Sequence, residues 1–241
     1  MKLKLYKCPF CGGELTDSKS IEHIIPESLG NTTLILDKGI ICDKCNNYFA
    51  RKIENDFLNL EVIKAIRSNS FIPNKNNNIP PMTVFVNGSK AKFEYNAKKD
   101  VFLLGCEPEA AYNIFKGNTD KMMFVVPSIE ELKNNYIVSR FLMKVFTEYL
   151  LLLHLEYETS INENEREFNI IKEKEIEELF HYVRYGKQGK VYNYSAELMK
   201  KIVPFNVDKE YIQLEYLFDE EKGIYGMKMK LLYILFVLYI N

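Results

Sequence analysis

Two pairs of closely spaced cysteines stand near the start of the chain, and they constrain its fold more than any other feature. Cys8 and Cys11 form the first CxxC pair, and Cys42 and Cys45 form the second. A CxxC turn places two sulfurs on one side of a tight loop, so two turns supply the four tetrahedral ligands that zinc prefers. We therefore expect a zinc-stapled module whose folding free energy comes largely from binding the metal.

Two disulfides are the alternative use of these four cysteines. The first seven residues, MKLKLYK, contain no apolar signal segment, so we expect a cytoplasmic protein whose thiols stay reduced. Reduced thiols at this spacing favour zinc. The fifth cysteine, Cys106, follows an apolar run, and we expect it to be a buried, inert thiol.

The composition leaves room for a hydrophobic core beyond this module. The chain has 241 residues, 47% of them hydrophobic, and a net charge of −1. A nearly neutral chain is not a polycation, so contact with nucleic acid would have to come from a local basic patch. No apolar run reaches the length of a membrane-spanning helix, and we expect no membrane partner.

A helix and a linker divide the chain into two predicted domains. Apolar residues recur every three or four positions from Asn46 to about Arg67, which indicates an amphipathic helix that begins at Asn46. A segment rich in proline and asparagine follows at residues 73–81 and indicates a linker. We therefore expect one domain over residues 1–70 and a second over residues 80–241.

The second domain has signals for both strands and helices. Residues 83–95 alternate in polarity around Asn87-Gly88, a pair that favours a tight hairpin turn, and residues 101–104 favour a further strand. Helical periodicity predicts helices over residues 136–155 and 172–185. Two or three strands are expected over residues 211–239, with a turn at residues 219–223. The predicted class is therefore α+β, a zinc-stapled module followed by a mixed helix and antiparallel-sheet region.

The residues around the cysteine pairs resemble a known family. Glu22-His23-Ile24-Ile25-Pro26 and Gly30 lie between the pairs, and Asn46 follows the last cysteine. Over residues 6 to about 57 the chain resembles the HNH endonuclease superfamily, the ββα-metal nucleases in their four-cysteine, zinc-binding form. The resemblance implies a β-hairpin followed by a helix, with one divalent ion held between them.

Two later segments are more loosely similar to the C-terminal region of some HNH nucleases. They are residues 139–144, with the sequence SRFLMK, and residues 181–186, with the sequence HYVRYG.

The resemblance implies a role for each residue of the site. His23 would be the general base that activates water, Glu22 and Asn46 would bind a catalytic Mg²⁺ or Mn²⁺ ion, and the four cysteines would bind structural zinc. The chemistry agrees, since imidazole titrates near neutral pH, and carboxylate and amide oxygens suit a hard divalent cation. An Asn46 that opens a helix would also place helix amides near a phosphate.

Several assignments stay open. Glu22 could orient His23 rather than bind the ion, Asn47 is the alternative ligand to Asn46, and Asn31 is the candidate for the family's middle asparagine, which orients the loop. A regular strand would send Glu22 and His23 to opposite faces, so we expect them at a strand end or bulge. Two acids further along the helix are expected to be surface or structural residues: Glu54 and Asp56.

Six basic residues are candidates for contact with nucleic acid. Three lie near the predicted metal site, namely Lys44, Arg51 and Lys52. Three more lie in residues 181–194, which contain four tyrosines and no acid, namely Arg184, Lys187 and Lys190. Basic groups interleaved with aromatic rings suit phosphate contact and base stacking, and the alternative is a solvated turn whose tyrosines pack inward. No sequence-reading motif is present.

These features predict a metal-dependent endonuclease acting on DNA, which the resemblance associates with restriction or phage defence. The alternatives are a non-catalytic zinc-stapled module that binds nucleic acid or acts as an adaptor, and the same active site working on RNA. Cutting both strands of a duplex would need two such sites, and hence a homodimer or two successive nicks.

Overall fold

The structure, a computed structural model, combines helices with antiparallel sheets, so the predicted α+β class is confirmed. It describes residues 7–73, 78–96, 99–118, 121–125, 128–160, 173–186, 190–199, 212–219 and 224–240. Within these ranges the strands form a two-stranded sheet and two four-stranded sheets.

The first part of the chain contains a minimal hairpin and a helix that changes pitch. Strand β1 (Glu22–His23) pairs antiparallel with β2 (Ile35–Leu36). The helical elements that follow are α1 (Asp43–Phe49), a π-helical turn (Ala50–Glu54), α2 (Asn55–Leu58) and α3 (Glu61–Asn69).

The helix begins earlier than the sequence pattern indicated. Cys42 is extended, with φ −71° and ψ 149°, and α1 begins at Asp43. The backbone amides of Cys45 and Asn46 both donate to the carbonyl oxygen of Cys42. The prediction that Asn46 opens the helix is therefore wrong, and its amide is bonded within the helix rather than open to a phosphate. The helix is also interrupted before α3, because Leu60 is extended.

The middle of the chain forms a four-stranded sheet with one short helix. Its elements are β3 (Met82–Val86), β4 (Ser89–Asn96), β5 (Val101–Gly105), α4 (Pro108–Phe115) and β6 (Met122–Phe124). The strand order is β5-β4-β3-β6. Asn87 and Gly88 both have positive φ, 48° and 84°, which confirms the predicted tight turn. Neither α4 nor β6 was predicted.

The last part of the chain packs two helices against a second sheet. The elements are α5 (Tyr136–Ser160), α6 (Glu173–Tyr185), β7 (Tyr194–Leu198), β8 (Ile212–Asp219), β9 (Ile224–Leu231) and β10 (Ile234–Ile240). The strand order is β7-β10-β9-β8. The predicted helices and tail strands are confirmed, and β7 is an additional strand. Most of the predicted turn at residues 219–223 lies outside the described residues.

One hydrophobic core joins the first and last parts of the chain. The rings of Phe57 and Phe141 stack with centroids 3.8 Å apart, and Phe10 packs edge-on against Phe49 and Phe180, each at 4.7 Å. The middle sheet has its own small cluster of buried residues: Val84, Val86 and Ala91. The main core therefore includes residues from both predicted domains, from Cys8 to Ile72 and from Leu132 to Ile240.

Helix α5 carries more buried polar side chains than an ordinary core helix. Beside its buried apolar residues, it buries Ser139, Arg140, Lys144, Thr147 and Glu148. Buried charges are expensive unless they are paired, so these residues point to a role for α5 beyond packing. Within the described part of the chain, no helix is both long enough and apolar enough to cross a membrane.

We expect Phe57→Ala to destabilise the whole fold, because its ring is fully buried against Phe141 of α5. Loss of a buried phenylalanine costs about 3–5 kcal/mol. Phe115→Ala is the matched control, since that ring is 86% exposed and its loss should change stability by less than about 0.5 kcal/mol. Urea unfolding followed by circular dichroism measures both, and equal effects would contradict the shared core.

Candidate functional site

The four paired cysteines come together at one point, as predicted. All four Sγ atoms lie within 4.8 Å of one another, and those of Cys11 and Cys42 are 3.6 Å apart. A tetrahedral ion with metal–sulfur bonds of about 2.3 Å separates its ligands by about 3.8 Å, so the cluster has the size of a zinc site. None of these cysteines forms a disulfide.

Interactions among the thiols separate their pKa values. A hydrogen bond with the Cys45 thiol lowers the pKa of Cys8 to about 5. The same pairing, together with burial, raises the pKa of Cys45, and burial raises that of Cys42. Zinc binds thiolates, so binding would release the remaining thiol protons.

A tight turn sets the geometry of the first cysteine pair. The amide of Gly12 donates to the carbonyl oxygen of Cys8 at 2.8 Å, and the Cys8 amide donates to the carbonyl of Gly13 at 2.7 Å. Gly12 has a φ of 69°, a conformation that glycine adopts without a steric penalty. The backbone therefore presents Cys8 and Cys11 from one short loop.

The chain between the cysteine pairs is fixed by side chains from other elements. Asp43, the first residue of α1, accepts hydrogen bonds from the backbone amides of Lys19 at 3.1 Å and Ser20 at 2.9 Å. Asn46, one turn further along α1, donates its Nδ2 to the carbonyl oxygen of Ile21 at 3.0 Å. Helix α1 thus holds the three residues that lead into β1.

Asn31 holds the other end of this segment. Its Nδ2 donates to the carbonyl oxygens of Ile25 at 2.6 Å and Leu34 at 2.8 Å. Its Oδ1 accepts from the amides of Thr33 and Leu34. The side chain is buried and uses both ends of its amide, which is the geometry expected of an asparagine that orients the loop.

Lys144 of α5 holds the centre of the segment. Its Nζ donates to Glu22 Oε1 at 2.7 Å, to the carbonyl oxygen of His23 at 2.8 Å and to that of Ile24 at 3.2 Å. A lysine ammonium has three N–H donors, and these bonds join it to three consecutive residues of the segment. We call residues 18–25 the clamped segment, because side chains from α1, the following loop and α5 bond along its length.

Two further carboxylates surround the same ammonium group. Glu54 Oε1 lies 2.8 Å and Glu148 Oε2 lies 2.9 Å from Lys144 Nζ. Burial alone lowers the pKa of Lys144, but the charges of Glu148, Glu22 and Glu54 raise it well above its ordinary value. Burial raises the pKa of Glu148 well above its ordinary value.

The π-helical turn explains how Glu54 reaches this cluster. In a regular α-helix, at about 100° per residue, Glu54 would lie about 80° around the axis from Asn46. The extra residue in a π turn reduces this to about 20°. Asn46 and Glu54 therefore lie on the same face of the helix, and both reach the clamped segment or the lysine that holds it.

Strand β1 presents its two residues differently. The strand is only two residues long, so both are strand ends, as expected. Glu22 is 4% exposed and lies in the Lys144 cluster, whereas His23 is half-buried. The Nδ1 atom of His23 is buried and has no hydrogen-bond partner among the described residues.

The two candidate asparagines have different hydrogen-bond partners, and Glu22 has a structural contact. Asn46 bonds through its amide nitrogen to Ile21, the residue before β1, whereas Asn47 is exposed and bonds back to the carbonyl of Asp43 in its own helix. Glu22 is bonded to Lys144. A structural role for Glu22 therefore stands beside its predicted role as an ion ligand.

The predicted basic residues lie on the surface or in a partly buried cluster. Lys44, Arg51 and Lys52 are exposed, Arg184 is half-buried, and Lys190 is exposed with its Nζ 3.0 Å from the Tyr192 hydroxyl. Lys187 lies outside the described residues. Of the four tyrosines in this segment, Tyr185 is exposed and the other three bond to the protein: Tyr182, Tyr192 and Tyr194. Three of these four tyrosines therefore pack against the protein, as the alternative of inward-packed rings predicted.

Two residues that contact α1 and β1, Arg140 and Lys144, were not predicted from the sequence. Lys144 and Arg140 both lie in the SRFLMK segment singled out above. Arg140 donates to the Tyr48 hydroxyl at 2.6 Å and to the carbonyl oxygen of Val183 at 3.0 Å. The available signal was a pair of cations four residues apart in a largely apolar helix, which is unusual for a core helix.

The N-terminal part of the chain is similar to one known family. A family model described as HNH endonuclease matches residues 8–60. That range begins at the first clustered cysteine and includes the whole clamped segment, Asn46 and the π-helical turn. Neither a curated protein nor a solved structure matches the chain.

We expect the protein to carry one zinc ion per chain and Cys42→Ser to lose it, because three thiolates cannot close the tetrahedral site. Structural zinc contributes about 10 kcal/mol or more at neutral pH, so the variant should unfold at a much lower temperature. Cys106→Ser is the matched control, since Cys106 lies outside the cluster. Metal analysis by mass spectrometry and thermal unfolding test this, and an unchanged melting temperature after chelation would contradict it.

Proposed function

We propose that this chain, whose residues 8–60 match the HNH endonuclease family, is a metal-dependent endonuclease that hydrolyses DNA phosphodiester bonds. The observation that carries the proposal is the clamped segment. His23 lies on a strand whose neighbouring carbonyl groups are bonded by Asn46, Asn31 and Lys144. Such preorganisation has value when a side chain must be held in a reactive geometry.

His23 is the proposed general base. Its partly exposed ring takes a proton from water as the water oxygen forms a bond to phosphorus. The bond from phosphorus to the leaving sugar oxygen breaks, and that oxygen takes a proton from solvent. Positioned base catalysis of this kind contributes roughly 10²–10⁴-fold to a rate.

A divalent cation completes the proposed site. The amide oxygen of Asn46 and the carboxylate of Glu22 are the residues that would hold Mg²⁺ or Mn²⁺, which prefer oxygen ligands. Such an ion, when bound, supplies positive charge at the scissile phosphate. Binding through Glu22 requires its second oxygen or an exchange with Lys144, because Oε1 already accepts from Lys144.

A cluster of two arginines beside α1 is the proposed contact for the nucleic-acid backbone. The guanidinium carbons of Arg184 and Arg140 lie 4.0 Å and 5.4 Å from the centre of the Tyr48 ring. Neither arginine forms an ion pair with a carboxylate in the described part of the chain. Tyr48 lies on α1, the helix that also carries Asn46.

The electrostatic balance of this cluster favours an anion. Arg140 bonds to the carbonyl of Val183 in the last turn of α6, and Arg184 lies in that turn. The negative end of a helix carries about half an elementary charge, so it offsets only part of two positive charges. The remaining charge suits a phosphate, which guanidinium groups bind through two parallel hydrogen bonds. Lys44 and Arg51 extend the same basic surface along the helix.

We expect His23→Ala to lower plasmid cleavage in Mg²⁺ or Mn²⁺ by about 10²-fold or more, because water then has no positioned base. His154→Ala is the matched control, since that ring is exposed and lies on α5. Zinc content and melting temperature establish that each variant is folded.

Three outcomes separate the proposal from its alternatives. Equal cleavage by folded, zinc-loaded His23→Ala would overturn the mechanism. Binding to DNA without cleavage by the wild-type protein would favour a non-catalytic nucleic-acid-binding module. Parallel assays on RNA of the same sequence would identify an RNA-directed enzyme.

We expect Arg184→Gln to weaken binding to every duplex sequence and to reduce its salt dependence. Removing one charge that binds a phosphate lowers the slope of log K against log salt by about 0.9. Lys133→Gln removes the same charge at an exposed site paired with Glu130, and it should leave the slope unchanged. Fluorescence anisotropy on a labelled duplex, without divalent ions, measures binding alone. An unchanged slope in Arg184→Gln would remove the arginine cluster from the substrate-binding surface.

A further inference from the structure

We infer that Lys144 is a positioning residue for the proposed active site, and that helix α5 thereby sets the geometry of His23. This inference rests on the proposed function. Lys144 lies 121 positions after His23 and is bonded to its backbone carbonyl. The part of the chain beyond the matched residues 8–60 therefore completes the site rather than merely accompanying it.

The distribution of hydrogen bonds carries the inference. Lys144 bonds to three consecutive residues, Glu22, His23 and Ile24, of which two offer only backbone oxygens. A lysine that served only to neutralise acids would direct its donors to Glu54 and Glu148. Lys144 lies 2.8 Å and 2.9 Å from those carboxylates, yet it also bonds to the backbone carbonyls of His23 and Ile24, which carry no charge to neutralise.

The two carboxylates fix the lysine in turn. Glu148 lies one turn along the same helix, and Glu54 lies in the π-helical turn that follows the zinc cluster. The ammonium group thus lies between α5 and the π-helical turn, and the positions of both elements determine where it bonds to β1. A displacement of α5 would therefore disturb the three hydrogen bonds that Lys144 makes to Glu22, His23 and Ile24.

The burial of Lys144 argues against a purely packing role. Its side chain is 0% exposed, and a methionine of similar length would fill the same space without desolvating a charge. Buried ion pairs are often no better for stability than apolar residues of the same volume. The cysteine cluster does not hold the strand directly, since the preceding ligand, Cys11, lies eleven residues before Glu22.

The test compares two variants of the full-length, zinc-loaded protein. Lys144→Met removes the donors. The triple variant Lys144→Met, Glu54→Gln, Glu148→Gln also removes two of the three carboxylates around the ammonium group, so that it folds without a cluster of unpaired acids. Lys228→Met is the control, because that lysine is exposed and pairs only loosely with Glu215. Misplacement of a reacting group by about 1 Å costs about 10²-fold in rate.

We expect kcat for cleavage to fall about 10²-fold in both Lys144 variants while KM stays within about twofold, since the substrate-binding arginines are untouched. Hydrogen exchange of the peptide covering residues 20–36 should become at least about tenfold faster. Exchange of the β9–β10 hairpin should not change. Lys228→Met should match the wild type in every measurement.

Other outcomes overturn the inference. A folded Lys144 variant with wild-type kcat and wild-type exchange removes any positioning role, and a triple variant that fails to fold assigns Lys144 to the core alone. If the wild-type protein cleaves no substrate, the proposed function fails, yet the exchange measurement still decides whether Lys144 orders the strand. Failure of the two proposals is therefore distinguishable.

Discussion

The ammonium group of Lys144 is the interaction on which the arrangement of this protein depends. It lies in the interior, where an unpaired charge is not tolerated, and five oxygen atoms from α5, the π-helical turn and the clamped segment surround it. Removing one partner of such a buried cluster costs about 3–5 kcal/mol. The charge therefore couples the position of three elements, one of which carries His23.

The zinc cluster and the buried lysine act on different parts of the same module. The cysteines join the first loop to the start of α1, and Cys42 both belongs to the cluster and immediately precedes that helix. This fixes Asn46, whose amide reaches Ile21. Lys144 then fixes the next three residues from the opposite side. The central residues of the clamped segment are therefore bonded from both sides, by α1 through Asn46 and by α5 through Lys144.

Patterns confined to a few neighbouring residues were readable from the sequence. The CxxC spacing predicted the thiol cluster, and Asn87-Gly88 predicted its hairpin. The start of α1 was missed because Cys42 takes an extended conformation that no periodicity reveals. The bond between Glu22 and Lys144 could not be predicted from the sequence, because the two residues are 122 positions apart. The contact of Glu54 with Lys144 could not be predicted either, because the direction of the Glu54 side chain depends on a π turn rather than on regular helical spacing.

The central claim is that the clamped segment and Asn46 build a divalent-metal site beside His23. Crystals of the zinc-loaded protein soaked in Mn²⁺, with anomalous maps recorded on both sides of the manganese and zinc edges, test it most directly. The account predicts zinc among the four Sγ atoms and manganese within bonding distance of the Asn46 amide oxygen, next to the His23 ring. Manganese bound only elsewhere, with the Asn46 side chain and the clamped segment in the arrangement described, would contradict it.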